Sequence, residues 1–564
     1  MPSSLQIAQD ATLRPIADIA SELGLLPDEI ELYGRFKAKI RLEVLDRLSD
    51  RPNGKEIIVT AVTPTPLGEG KTTTTIGLAQ GLNRLGVRAA VAVRQPSLGP
   101  VFGIKGGGAG GGYSQVLPME DINLHFTGDI HAVTAAHDLG AAFLDNHLLR
   151  GNQLGIDLAT IRWPRVLDLN DRILRHVRLG IGEAVELQRE GEFHITAASE
   201  VMAVLALATD LLDLRRRIGR IIVAETTGGT AVTMEDLRVA GAMTVLLRDA
   251  IKPNLVQTTE GGPAFVHAGP FANIAHGNSS VVADRVALKL NEAVCTEGGF
   301  ASDMGLQKFM DIKCRLSGLR PSAAVIVATI RALKMHGGVG KVVAGQPLDP
   351  ALLEEDPEAV RRGAENLAQH LAIVANYGVP AVVAINAFPT DHESEFQAAR
   401  EAALAAGAED VVVSRHFSDG GEGALDLARA VWAAAQKGAP DFRFLSRDGA
   451  SLREQIEDIA TRVYGADGVD FAPQAEASLD AIERLGYGSV PVCMAKTQSS
   501  LTHDPALKGR PRGWRLPIRD ARLFAGAGFV TAYCGSMMTM PGLPTHPAGE
   551  DVDIDADGRI VGLF

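Results

Sequence analysis

The stretch from Lys55 to Val93 narrows the possible folds more than any other part of the chain. Lys55-Glu56-Ile57-Ile58-Val59-Thr60-Ala61-Val62 is mostly apolar and β-branched, which predicts a buried strand. Thr72–Leu85 reads as a helix and Arg88–Val93 as a second strand. Strand, loop, helix and strand in that order form the unit from which parallel sheets are built. The loop reads Thr63-Pro64-Thr65-Pro66-Leu67-Gly68-Glu69-Gly70-Lys71-Thr72-Thr73. Its setting, after a strand and before a helix, is the one a phosphate-binding loop requires. Glycines let backbone N–H groups approach phosphate oxygens, and the helix start adds partial positive charge. Lys71 is placed to reach terminal phosphates and Thr72 to ligate Mg²⁺. Thr65 stands where the motif usually has its first glycine, so the loop is a variant. Thr65, Pro66, Leu67, Gly68, Glu69, Gly70, Lys71 and Thr72 are therefore the expected ATP-binding residues.

Further apolar runs at Arg220–Ala224, Ala323–Thr329 and Ala381–Ile385 read as strands, with a helix expected over Glu200–Leu212. Residues 1–50 read as polar and helical, with Pro15 and Asp28 as helix starts. The fold class is α/β: a P-loop-containing parallel-sheet nucleotide-binding core with two smaller α/β domains. Glycine-rich breaks at residues 337–347 and near 437–440 place the domains at 1–340, 341–440 and 441–564. With 564 residues the chain is long enough for several domains.

Composition excludes whole classes of function. Fifty-five Lys+Arg against 68 Asp+Glu give a net charge of −13, which argues against a nucleic-acid partner. No apolar stretch approaches the roughly 18 residues that span a bilayer, so no membrane partner is expected. The N-terminus lacks a signal-peptide pattern. The four cysteines, Cys295, Cys314, Cys493 and Cys534, form no Cys-x-x-Cys pair. Neither a disulfide framework nor a zinc site is indicated, and a cytoplasmic location is expected.

The segment from Arg94 to Tyr113 carries glycine at 99, 103, 106–108 and 110–112. Such a run is expected to be neither helix nor ordinary strand, and its entropic cost implies a backbone that must pass close to a ligand. Arg94, at the strand end beside the loop, is the expected clamp for a small carboxylate or an acyl phosphate. In Met119–Asp129, acids, an amide and a histidine sit among apolar residues. Asp129 is the expected partner of Mg²⁺-bound water or of a cation. His125 and His131 read as polar core.

These motifs together resemble the formate–tetrahydrofolate ligase family almost end to end. The resemblance is carried by Pro66-Leu67-Gly68-Glu69-Gly70-Lys71-Thr72-Thr73, Pro96-Ser97-Leu98-Gly99-Pro100 and Pro118–Asp129. It continues through Gly269–Gly277, Asp311–Arg315, Arg331–Gly338, Ala495–Gln498 and Met538–Pro544. It implies that formate attacks the γ-phosphate of ATP to give formyl phosphate, whose carbon is then attacked by N-10 of tetrahydrofolate. By resemblance, Lys71 and Arg94 are catalytic, Lys496, Thr497 and Gln498 lie near the nucleotide, and Phe388 and Phe417 stack on the folate. It further implies ATP with Mg²⁺ as substrate, tetrahydrofolate as co-substrate, a monovalent cation and a homotetramer. The chain departs from the family where Gln95 replaces the usual glutamate and Phe417 the usual tryptophan. The residues alone leave two other readings open: a P-loop ligase for a different small carboxylate, and a nucleotide-driven switch ATPase.

Overall fold

The protein is described by a computed structural model covering residues 1–104, 107–343, 347–535 and 537–563. The strands of its largest sheet are, in chain order, β1 (Ile30–Leu32), β2 (Ala38–Ile40), β3 (Lys55–Ala61), β4 (Ala89–Val93), β5 (Gly110–Gly111) and β6 (Ser114–Leu117). They continue with β7 (Asn254–Thr258), β8 (Pro263–Val266), β9 (Ala293–Glu297), β10 (Ala323–Ala328), β11 (Ala381–Asn386) and β12 (Asp410–Ser414). This 12-stranded sheet runs β1-β2-β7-β8-β4-β9-β3-β10-β11-β12, with β6 joined to β7 and β5 to β6. From β8 to β12 every neighbouring pair is parallel, and the antiparallel pairs lie at the β1 end. The chain is thus mixed α/β with a large, mainly parallel central sheet.

Alternation along each strand supplies both faces of the core. Ile57, Val59 and Ala61 pack on one side with Ile76 and Leu82 of α1 (Lys71–Arg84). Ile58 packs on the other with Leu367 and Leu371 of α2 (Pro357–Asn376). Burial on both faces is why the strands read as continuous apolar runs. The C-terminal part builds a small sheet in which Val492–Ala495 runs parallel to Phe529–Tyr533, and the latter pairs antiparallel with Asp520–Phe524. Val492, Met494 and Val530 enter the same core as Ile58. Among the described residues no helix is long and apolar enough to cross a membrane.

Several local expectations change. The helix expected over Glu200–Leu212 is two helices, Glu200–Leu207 and Leu211–Arg220. Asp210 starts the second one, accepting the Asp213 N–H at 2.7 Å, and so breaks a uniform pattern in two. Asp28 lies in a single turn, Pro27–Glu29, that leads into a strand instead of a helix. The run at Arg220–Ala224 yields a strand at Ile222–Glu225, but it pairs with Ala231–Thr233 apart from the main sheet. Within the glycine-rich segment, Leu98–Phe102 forms a helical turn. It is held by Asp168, which accepts from the Ser97 hydroxyl at 2.6 Å and the Leu98 N–H at 3.0 Å. Lys105 and Gly106 of that segment, and residues 344–346 of the expected boundary at 337–347, lie outside the described residues. Beyond that boundary, β11 and β12 extend the central sheet.

Replacing Asp210 by Ala removes a helix cap without touching the core. We expect urea denaturation to show a loss of about 1 kcal/mol, with far-UV dichroism nearly unchanged.

Candidate functional site

Parallel strands deliver all their carboxyl ends to one edge, where open α/β sheets bind ligands. Here that edge collects the residues following Ala61, Val93, Glu297, Ala328, Asn386 and Ser414. The loop after β3 is held rigidly by side chains from its neighbours. Glu69, 1% exposed, accepts the Thr65 N–H at 2.6 Å and the hydroxyl of Thr329, which follows β10. Arg331 donates to the Gly68 carbonyl at 3.0 Å, and Asn386 to the Glu69 carbonyl at 3.0 Å. Gly70 adopts a φ of 79°, and a Cβ there would come within 2.5 Å of the Asn386 amide nitrogen. Only glycine fits that combination of left-handed backbone and close contact.

Lys71 and Thr72 open α1 directly after this loop. Burial lowers the pKa of Lys71 below the ordinary lysine value; the carboxylates of Glu297 and Glu69 oppose that shift, and Arg94 adds to it. Arg94 follows β4 and reaches toward the same point, donating to the Pro270 carbonyl at 3.4 Å. Glu297, the last residue of β9, joins the two. Its carboxylate accepts the Thr72 hydroxyl at 2.6 Å and approaches the Arg94 guanidinium at 3.4 Å. The strand order β4-β9-β3 makes this inevitable, because β9 lies between the strands that carry Arg94 and the loop.

Leu67–Thr73, Arg94, Phe271, Asn273, Glu297 and Phe300 line one cleft of ≈ 510 Å³. Lys71 and Arg94, the two residues expected to act together, therefore face a common space. A larger cavity of ≈ 660 Å³ lies between Trp163, Arg189 and Arg522, and it contains none of the expected site residues.

Other expected residues stand elsewhere. Asp129 is 3% exposed and bound to the Lys39 ammonium at 2.7 Å and to Asn254 at 2.7 Å. Asp129 does not line the cleft, and its two oxygens are taken by Lys39 and Asn254, so it serves as a brace between β2, β7 and the helix Asp129–Leu149. Lys496 is also enclosed: it pairs with Asp303 at 2.7 Å and donates to the carbonyls of Thr497 and Ser500. Through Asp303 it anchors the segment that begins at Glu297. Thr497 is half-buried and Gln498 exposed, and neither lines the cleft.

The two rings sit at the ends of adjacent strands. Phe388, two residues beyond β11, has the Arg331 guanidinium 4.3 Å from its centroid, and its backbone is fixed by Asp391 at 2.8 Å. Arg331 thereby ties this ring to the loop at Gly68. Phe417, beyond β12, is 41% exposed and lies against Gly111 and Gly112, with its carbonyl accepting the Tyr113 N–H at 2.9 Å. Neither ring lines the 510 Å³ cleft itself.

Glu297 was not among the expected site residues. The available signal was an acid at the end of the short run Ala293-Val294-Cys295-Thr296, followed by Gly298 and Gly299.

Comparison with known proteins bears on what such a cleft does. The model of the family described as formate–tetrahydrofolate ligase matches residues 2–564. The chain belongs to the formate–tetrahydrofolate ligase family. It is 59% identical to the formate–tetrahydrofolate ligase of Saccharopolyspora erythraea over 565 residues, covering 100% of both chains. It is 59% identical to that of Roseiflexus castenholzii and 57% identical to that of Desulforamulus reducens, again over 100% of each chain. The motifs Pro66–Thr73, Pro96–Pro100, Gly269–Gly277 and Arg331–Gly338 follow strands β3, β4, β8 and β10, which places them along one edge of the central sheet.

Asp129→Asn would leave the Lys39 ammonium buried without a counter-charge. We expect a loss of about 3–5 kcal/mol in chemical denaturation, as for other broken buried pairs. Unchanged stability would contradict the bracing role.

Proposed function

We propose that this chain catalyses the ATP-dependent ligation of formate to tetrahydrofolate through formyl phosphate, with Lys71 and Arg94 as the catalytic residues. The observation that carries the reading is the shared cleft: an ammonium at a helix start and a guanidinium from a neighbouring strand face one space. The glycine-rich loop acts as a P-loop whose N–H groups and Lys71 hold the nucleotide phosphates. Arg94 holds formate by its carboxylate.

A formate oxygen attacks the γ-phosphorus, and the bond to the ADP oxygen breaks. The new mixed anhydride gives formate the leaving group it lacks. The N-10 lone pair of tetrahydrofolate then attacks the formyl carbon. The carbon–oxygen bond breaks, phosphate departs with the former formate oxygen, and N-10 loses its proton. No protein nucleophile takes part. The chain contributes positioning and neutralisation of the charge that spreads over the transferred phosphoryl oxygens. Lys71 and Arg94 keep that charge compensated while the phosphoryl group passes from the ADP oxygen to the formate oxygen.

Mg²⁺, when bound with the nucleotide, neutralises phosphate oxygens, and the Thr72 hydroxyl is the contact we assign to it. Phe388, capped by Arg331, and Phe417 are assigned to the flat face of the folate. With its ring tied to Gly68 through Arg331, Phe388 couples the folate side to the phosphate loop. The family resemblance extends the reading to a homotetramer, a cytoplasmic location and a monovalent cation, for which no residue is assigned because Asp129 is bound to Lys39.

The test is formate-dependent ADP release with and without tetrahydrofolate, with detection of the formylated product. Lack of that product at saturating substrates would overturn the reading. Lys71→Ala is expected to lower turnover by about 10²–10³-fold, the scale of removing one preorganised donor, with the fold intact. The alkaline limb of kcat/KM for ATP reports the free enzyme. If Lys71 must be protonated, activity falls as pH rises through its lowered pKa, so that limb lies below the ordinary lysine value of 10.5. In Lys71→Arg, which stays charged, the limb should move to higher pH.

A further inference from the structure

Glu297 has a setting that bracing alone does not require. It ends β9, and pairing on both sides fixes its height at the sheet edge: Glu297 lies opposite Val59, and Thr296 opposite Ala92. Its carboxylate is 5% exposed, yet it lines the cleft beside Lys71. The group nearest to it is the hydroxyl of Thr72, at 2.6 Å.

A magnesium ion that accompanies a nucleotide keeps several waters and takes one or two protein oxygens besides the phosphates. It needs no dedicated cage. Among the described residues no group of three or more His, Cys, Asp or Glu side chains is placed to form one. What the ion needs is an oriented hydroxyl after the loop lysine and a carboxylate on an adjacent strand. Thr72 and Glu297 meet that description. The hydroxyl donates its proton to Glu297, which leaves its oxygen lone pairs turned away from the carboxylate and available to a cation. A partner that orients a metal ligand in this way contributes strongly to affinity. Asp129, the acid expected from sequence, is bound to Lys39 and does not line the cleft.

We propose that Glu297, acting with Thr72, holds the divalent cation that enters with the nucleotide. This assignment rests on the nucleotide reading above. In it, Glu297 is the positioning residue: it fixes the Thr72 hydroxyl and places a negative charge directly beside it.

The test uses Mn²⁺ as probe and ADP as nucleotide on the full chain, with free Mn²⁺ read by its electron paramagnetic resonance signal. Glu297→Gln preserves shape and still accepts the Thr72 hydroxyl. It is expected to weaken Mn²⁺ retention in the ADP complex about 10–100-fold. Metal-free ADP affinity should stay unchanged or tighten, because a negative charge beside the phosphates is gone. Glu297→Asp, which keeps the charge but withdraws it by one methylene, serves if the amide variant does not fold, and should also weaken retention. Wild-type Mn²⁺ retention in either folded variant overturns the assignment. So does an equal loss of metal-free and metal-bound ADP, which would indicate general damage to the loop. Wild-type protein that binds ADP but does not retain Mn²⁺ overturns the metal assignment alone. Failure of the wild type to bind ADP at all overturns the nucleotide reading.

Discussion

The contact of the Glu297 carboxylate with Thr72 on one side and Arg94 on the other is the constraint around which the site is organised. Each partner comes from a different strand end, and each carries or accompanies a positive charge. Two cationic groups facing one cleft repel each other, and burial disfavours the charge on Lys71 further. An acid between them makes the arrangement tolerable before any anion arrives. In the proposed reaction, phosphate and carboxylate supply the negative charge that the protein provides only in part.

That arrangement would be wasted on a mobile loop. The residues between Thr65 and Lys71 are held by Glu69 from within and by Thr329, Arg331 and Asn386 from the two strands beyond β3. Each contact removes freedom that would otherwise be lost on binding the proposed nucleotide. Arg331 extends the same bracing to the Phe388 ring, so the proposed phosphate loop and the proposed folate side share one side chain. On the opposite flank, Lys496 reaches the cleft only indirectly, through Asp303 and the segment leading back to Glu297. A C-terminal motif thus acts on the site as support.

Local pattern made the centre of this picture legible. A β-branched run, two glycines and a lysine before a helix announce strand, loop and helix, and Arg94 at the next strand end follows from the same unit. Long-range partners were not legible. Nothing near Asp129 signals that Lys39, 90 positions earlier, occupies its carboxylate. Asp303 likewise lies far from Lys496 in the chain. The five-residue strand ending in Glu297 is too short to advertise its acid, and only the strand order places that acid between Arg94 and Thr72. The glycine-rich segment misled in a different way: its helical turn at Leu98–Phe102 depends on Asp168, a distant residue.

The central claim is that one cleft energises a one-carbon acid by moving a phosphoryl group onto its oxygen. It is tested most directly by running the reaction with formate labelled with ¹⁸O and analysing the phosphate released. Transfer through formyl phosphate predicts one labelled oxygen in each phosphate formed. Phosphate free of label, alongside formylated folate, would contradict the account.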